Sequence, residues 1–271
     1  MAIERKMKYV GKCPKCELNY IKENEELCSV CRRKSFFIEN DSSSDSYSQE
    51  RWKKLKEIEE RQRQKEKQNK EELLNIMKSF GFKGFCHTAN LNNFIDIYQS
   101  GFLKSRYLLE EEGFVFEDNS NISVIEKTGE FIKKQVRFYY RPITPTNIGA
   151  YMKFNQKNPV LMVFDESLLY DECYFSEGCP AGYNKTIHKN ISSAKKFNWE
   201  KIFETGYFDT FDDESRNYRN SEFLVPHKVP ISKIKKIYFK CENDMKLAIE
   251  KIGKDERFVV DETKFYKENV W

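Results

Sequence analysis

The sequence predicts an α+β domain carried behind a small cysteine-bound module. Three observations predict it. Short apolar runs of strand type recur between residues 85 and 239, with only a few helical stretches among them. Two Cys-x-x-Cys pairs stand near the start, separated by eleven residues. A long, almost wholly charged segment lies between the two regions. The expected division is a zinc ribbon over 1–40, a Ser/Asp-rich then charged helical linker over 41–75, and the α+β domain over 76–271.

Bulk properties agree. A chain of 271 residues holds one domain of ordinary size and a small module. Its 22 Phe and 15 Tyr supply bulk for a core and for stacking surfaces. The net charge of +4, from 47 basic and 43 acidic residues, is too balanced to mark a nucleic-acid binder by itself. There is no run of eighteen apolar residues and no apolar leader, so a cytoplasmic protein with no membrane partner is expected.

The first element is the ribbon. Cys13, Cys16, Cys28 and Cys31 form two knuckles, each presenting two sulfurs, which together suit one tetrahedral zinc ion. Disulfides are the alternative, and a cytoplasmic compartment disfavours them. So short a segment buries no core of its own, so the metal would supply most of its folding energy. Lys12, Lys15, Arg32, Arg33 and Lys34 favour a nucleic-acid face. Cys86, Cys173, Cys179 and Cys241 have no ligand spacing and are expected to pack as small apolar residues.

The linker comes next. Residues 41–48 are rich in Ser and Asp and offer little to pack. Trp52, Leu55 and Ile58 make one apolar stripe, and no further apolar residue occurs until Leu73. Pairs such as Glu66 with Lys70 support a solvated helix acting as a spacer.

The α+β region follows. Strands are expected over 85–88, 136–140, 160–164, 222–225 and 234–239. Asn90 caps a helix in which Leu91, Phe94, Ile95 and Tyr98 recur on one face and Gly101 ends the run. A second helix places Met245, Ala248, Ile249 and Ile252 together before Gly253. The stretch from 170 to 220 reads as a long polar loop, and loops of that length in compact domains are usually functional.

Glu222 is the most informative side chain. It heads the apolar run Phe223-Leu224-Val225 with polar and basic residues before it. A carboxylate so placed is costly to desolvate unless paired or used. The competing reading is an edge-strand glutamate facing water.

Taken in order, the blocks CHTANLNNFIDIYQSGFLKSR, RFYYRPITPT, NPVLMVFD, YFSEGCPAGY and RNSEFLVP resemble the DarT family of ADP-ribosyltransferases, toxins that use NAD to modify nucleic-acid bases. The resemblance runs from about Gly84 to about Phe239. It implies an ADP-ribosyltransferase-like split β-sheet core with short helices. It also implies NAD as co-substrate, and thymine or guanine of single-stranded DNA as target, with RNA as the alternative acceptor. A role as the toxin of a toxin–antitoxin or phage-defence system follows, with a cognate antitoxin that removes ADP-ribose. By the family pattern Glu222 is the catalytic carboxylate and Arg141, just before Pro142, its arginine; Arg137 is the other choice for holding NAD. His87, Thr88 and Asn90 fall in the cofactor-binding set, and Tyr139 and Tyr151 are candidates to stack on nicotinamide or a base. One departure is Gly178-Cys179-Pro180, where the family commonly reads glycine-asparagine.

A carboxylate suits the chemistry. Cleaving NAD at the nicotinamide ribose gives a cation like the oxocarbenium of glycoside cleavage. A carboxylate accepts a ribose hydroxyl, stabilises the cation and takes the acceptor's proton. Two other functions compete. A protein-modifying transferase would usually carry Glu or Gln two residues before the catalytic glutamate, where this chain has Asn220. A non-catalytic zinc-ribbon binding module would have no need of His87, Arg141 and Glu222 together.

Overall fold

The computed structural model describes residues 9–12, 20–22, 45–116, 126, 128–154, 158–181, 186–206 and 213–265, with side chains from Trp52 onward except at 150–154 and 213. Two compact units divide the chain, Met1–Gln64 and Lys65–Trp271.

In the first unit β1 (Tyr9–Lys12) and β2 (Tyr20–Lys22) pair antiparallel. The expected ligands Cys13, Cys16, Cys28 and Cys31 lie outside the described residues. Helix α1 (Asp45–Ser79) takes up the charged segment, and in sequence it runs past the division between the units. Lys70 meets Glu66 at 3.0 Å, the expected i,i+4 pair, but the Lys70 side chain is largely buried rather than solvated. Trp52, Leu55 and Ile58 are exposed. Leu73 and Met77, near the end of α1, are fully buried in the core of the second unit. Both residues belong to the second unit, which begins at Lys65.

The second unit continues with β3 (Phe85–Asn90), α2 (Leu91–Ser100), β4 (Phe102–Lys104), α3 (Arg106–Glu111) and α4 (Glu130–Lys133). Next come β5 (Gln135–Tyr139), α5 (Pro145–Phe154), β6 (Pro159–Phe164), β7 (Tyr174–Ser176) and β8 (Ile187–His188). The chain proceeds through α6 (Ile191–Ala194), α7 (Trp199–Phe203), α8 (Asp213–Arg219), β9 (Glu222–Pro226) and β10 (Lys228–Pro230). It ends in β11 (Ile234–Phe239), α9 (Glu242–Ile252) and β12 (Phe258–Val260). Asn90 caps α2 through a bond from Asn93 N at 2.8 Å, and Gly101 closes it with its N–H on Tyr98 O, as the sequence predicts.

An eight-stranded sheet organises the unit in the order β12-β11-β6-β3-β5-β9-β7-β8. Strand β3 pairs with β6 over six residues, and β5 with β9 over five. Between β3 and β5 the only pair is Cys86 with Tyr139. The sheet therefore forks in its middle, the split core that the resemblance implies. One face of the sheet carries the main core. Phe85 stacks on Phe223 at 3.9 Å across the fork, and Phe138 meets Phe164 edge-on at 5.0 Å. All four are fully buried, and each such side chain contributes about 1.5–3 kcal/mol by leaving water.

The stretch from 170 to 220 is not a bare loop. It holds β7, β8, α6, α7 and α8, none longer than seven residues. Elements so short show no hydrophobic period, which is why pattern reading passes over them.

Candidate active site

Directly paired strand residues, and residues two apart on one strand, share a face of the sheet. Ser176 pairs with Glu222, Glu222 with Tyr139, and Tyr139 with Cys86, so these four form one row across the middle of the sheet. Arg137 stands two residues before Tyr139 on that same face.

Glu222 is 0% exposed, so it is no edge-strand residue facing water. Arg137 donates from Nε to Oε2 and from Nη2 to Oε1, both at 2.6 Å. This fork-to-fork pairing is the strong form of a carboxylate contact. Tyr140, fully buried, donates its hydroxyl to the Glu222 backbone oxygen at 3.1 Å and fixes the strand from the core side. Burial pushes the Glu222 carboxyl up, Arg137 pulls it back, and the net displacement is upward. Burial alone would weaken the charge on Arg137, but the Glu222 carboxylate more than offsets it. The guanidinium stays about a third exposed. Its Nη1 has no partner among the described residues.

His87 bridges the fork. Its Nδ1 lies 2.9 Å from the Arg137 carbonyl oxygen, and its ring meets Phe138 edge-on at 6.1 Å. Burial lowers its pKa, so the ring is neutral near pH 7. A carbonyl oxygen only accepts, so the proton sits on Nδ1, which leaves Nε2 as an acceptor with no partner among the described residues. Thr88 Oγ1 receives Asn147 Nδ2 at 3.4 Å. Burial, and then the charge of Glu222, raise the Tyr139 phenol and keep it neutral; it also shares a side-chain hydrogen bond with Thr146. The Asn90 side-chain oxygen is engaged in capping α2. Tyr151 lies on α5, and its side chain is outside the described ones.

The structure separates the two arginines. Arg137 reaches Glu222, whereas Arg141 donates through Nη1 to the carbonyl oxygens of Ile202 at 3.2 Å and Glu204 at 2.5 Å. Strand β5 ends at Tyr139, so Arg141 no longer follows its alternation and turns to the end of α7. Burial, helped by nearby Arg219, brings its pKa down to about 10.

Asn220 is a residue whose part sequence reasoning missed. Its Oδ1 accepts from Thr146 N at 3.0 Å and Thr146 Oγ1 at 2.9 Å, so it caps the start of α5. Through Thr146 it links the segment before Glu222 to Tyr139. The cap lies 74 residues from the helix it caps, and no local pattern shows it.

Among the described residues, no group of three or more His, Cys, Asp or Glu side chains is placed to hold a metal ion. No helix among them is long and apolar enough to cross a membrane.

A family profile described as "DarT: ssDNA thymidine ADP-ribosyltransferase" matches residues 86–266, which take in His87, Arg137, Tyr139 and Glu222. The chain belongs to the DarT family. It is an NAD-dependent ADP-ribosyltransferase of single-stranded DNA. Solved structures carry the same fold. Thermus sp. 2.9 DarT in complex with ADP-ribosylated ssDNA is 14% identical, with a TM-score of 0.57, covering 67% of this chain and 95% of that one. The same enzyme in complex with NAD+ is 14% identical at a TM-score of 0.55, covering 67% of this chain and 96% of that one. Thermosipho africanus DarTG in complex with ADP-ribose is 16% identical at 0.58, covering 68% of this chain and 51% of that one. No curated protein matches the chain. The DarT match begins at Cys86, so it leaves out β1, β2 and all of α1.

Proposed function

We propose that this enzyme cleaves the nicotinamide–ribose bond of NAD and transfers the ADP-ribosyl group to the base of a thymidine in single-stranded DNA, with Glu222 and Arg137 at the centre. The observation that carries this reading is the fully buried carboxylate gripped from both oxygens by an arginine on the neighbouring strand. The site has the groups NAD needs. Arg137 Nη1 offers donors for a pyrophosphate oxygen, and His87 Nε2 offers an acceptor for a ribose hydroxyl.

The division of labour follows from charge. Two ionised oxygens have about four lone-pair positions, so Glu222 accepts a ribose hydroxyl even while paired with Arg137. As the glycosidic bond breaks, its electron pair leaves with nicotinamide and the ribose gains positive charge, which the Glu222 anion stabilises. Thymine joined to deoxyribose through N1 has one ring N–H, at N3. That nitrogen bonds to the ribose carbon, and its proton passes to Glu222, whose raised pKa makes it a better base. In a duplex N3 is held in the base pair, hence the preference for a single strand. Tyr139, neutral and on the Glu222 face, is placed to flank the nicotinamide. Arg141, which donates through Nη1 to the carbonyl oxygens of Ile202 and Glu204, would serve mainly to support the 199–204 segment.

The ribbon belongs to the same reading. Cys13, Cys16, Cys28 and Cys31 would hold one structural zinc, with the first pair in the connection between β1 and β2. Its basic residues would add affinity for the DNA strand. A toxin role, and an antitoxin that removes ADP-ribose, follow from the family.

The test is direct. Purified protein is incubated with labelled NAD and four defined single-stranded oligonucleotides, with RNA and protein as controls. Label is expected on thymidine-containing DNA. Label on RNA or protein alone would overturn the acceptor, and release of nicotinamide without any labelled polymer would overturn the transfer.

A further inference from the structure

Side chains of β7, α8 and the residue before β9 hold three backbone groups of the segment after β7. Gly178 donates its N–H to Ser221 Oγ at 2.7 Å, and its carbonyl accepts from Ser176 Oγ at 2.7 Å. Cys179 donates its N–H to Asn217 Oδ1 at 3.0 Å. Ser221 passes its own proton to Tyr218 O at 2.6 Å, so its oxygen is fixed as the acceptor for Gly178. The chain tolerates nothing larger than glycine at 178. Its φ is +93°, and a Cβ there would come within 2.4–2.7 Å of the Asn217 carboxamide. Glu177 is tied the other way, accepting Asn198 N at 2.6 Å. Pro180, buried, has no N–H to satisfy and stiffens the exit.

The residues that make this clamp flank the catalytic carboxylate. Ser221 immediately precedes Glu222 on the chain, and Ser176 is the cross-strand partner of Glu222. Cys179 is half-buried, and its side chain lies within electrostatic reach of both Arg137 and Tyr139. An ordinary surface loop satisfies its amides with water and wanders; this one is fixed as a wall beside the site.

We propose that Asn217 and Ser221 are positioning residues that clamp the Gly178–Cys179 backbone against the catalytic strand and so hold Cys179 as a wall of the site beside Arg137 and Tyr139. The inference rests on the transfer reading above. The clamp itself is a matter of geometry and is tested separately.

Two measurements test it on the full chain. The first compares DNA modification with NAD hydrolysis, in which water replaces the base. In Ser221→Ala the ratio of the two rates should fall about tenfold and KM for the oligonucleotide should rise, because losing a buried acceptor frees the wall and lets water compete with the base; in Asn217→Ala, whose side chain is exposed, the fall should be smaller. Ser221→Thr and Asn217→Asp keep the accepting oxygen and should recover most of the ratio. A ratio unchanged in the alanine variants, or both rates falling in proportion, overturns the proposal. The second measurement is alkylation of Cys179 by iodoacetamide, mapped by mass spectrometry. It should be several-fold faster in the alanine variants than in wild type, since opening a clamp exposes what it holds. Equal rates overturn the clamp whatever the activity. Faster alkylation in a protein whose wild type never modifies DNA supports the clamp and counts against the transfer reading alone.

Discussion

Arg137 and Glu222 meet through two parallel hydrogen bonds of 2.6 Å, one partner fully buried and the other still reached by solvent. That asymmetry sets their chemistry. The guanidinium opposes the penalty that burial places on the carboxylate, and it keeps open donors for a ligand. A change at either residue therefore acts on the other.

Glu222→Gln keeps shape and removes charge and basicity. The variant should bind NAD and lose a hundredfold or more in the rate of transfer, on the order expected when a charge-stabilising general base is removed. In cells the variant should be tolerated where wild type is not. Oligonucleotide modification at the wild-type rate would return Glu222 to a structural role.

The pH dependence should follow the pair. Burial raises the Glu222 carboxyl above its ordinary 4.5, so the acid limb of kcat should lie above that value. In Arg137→Gln the opposing cation is gone while burial remains. The limb should then move to still higher pH, and NAD binding should weaken because the phosphate contact is lost. A pH–rate profile under saturating NAD reads the shift. A limb that moves down, or stays in place, rules out the pair as the ionising group.

Asp255 gives a separate, structural pH effect. Arg257 bonds its carboxylate through Nε at 2.9 Å and Nη2 at 2.5 Å, and Tyr98 donates to it at 2.5 Å. Arg257 also ties to the carbonyls of Ile231 and Ile234. These bonds, Arg257's first, hold the Asp255 carboxyl well below the usual carboxylate range despite burial. The unfolded chain protonates Asp near 3.9. The stabilisation is thus complete above about pH 4 and is lost as pH falls toward the folded pKa. Arg257→Ala should cost about 1–3 kcal/mol at pH 7, and its Tm deficit should shrink below about pH 4. A deficit independent of pH would assign the loss to packing.

The position of Glu222 stands out in the sequence because an acid beside Phe-Leu-Val has few reasons to be there, whereas His87 stands out only through the family resemblance. Which of Arg137 and Arg141 meets Glu222 does not stand out. It depends on where β5 stops: with the strand ending at Tyr139, parity carries Arg137 to the Glu222 face and releases Arg141 to α7. The contribution of Asn220 was hidden for a related reason, since it is made across 74 residues. Strands β3, β5, β6, β9 and β11 were visible through their apolar runs. Strands β7 and β8, of three and two residues, are fixed by the neighbours they meet rather than by any periodicity.

The N-terminal module should matter for the polymer and not for the cofactor. His87, Arg137, Tyr139 and Glu222 all lie within the unit that starts at Lys65, and the hydrogen bonds that hold them are closed within it. Deleting residues 1–40 should therefore leave NAD cleavage largely intact. The deleted stretch carries Lys12, Lys15, Arg32, Arg33 and Lys34, whose contacts to phosphate would be sensitive to salt. The truncated protein should need more oligonucleotide for half-maximal rate, and that rate should depend less steeply on salt. Full-length protein prepared without chelator should carry one zinc, with sulfur–metal distances near 2.3 Å by X-ray absorption; stripping the metal should mimic the deletion. If deletion abolishes NAD turnover, the module completes the active site and the division at Lys65 has no functional meaning. If full-length protein holds no zinc, the two cysteine pairs have another purpose.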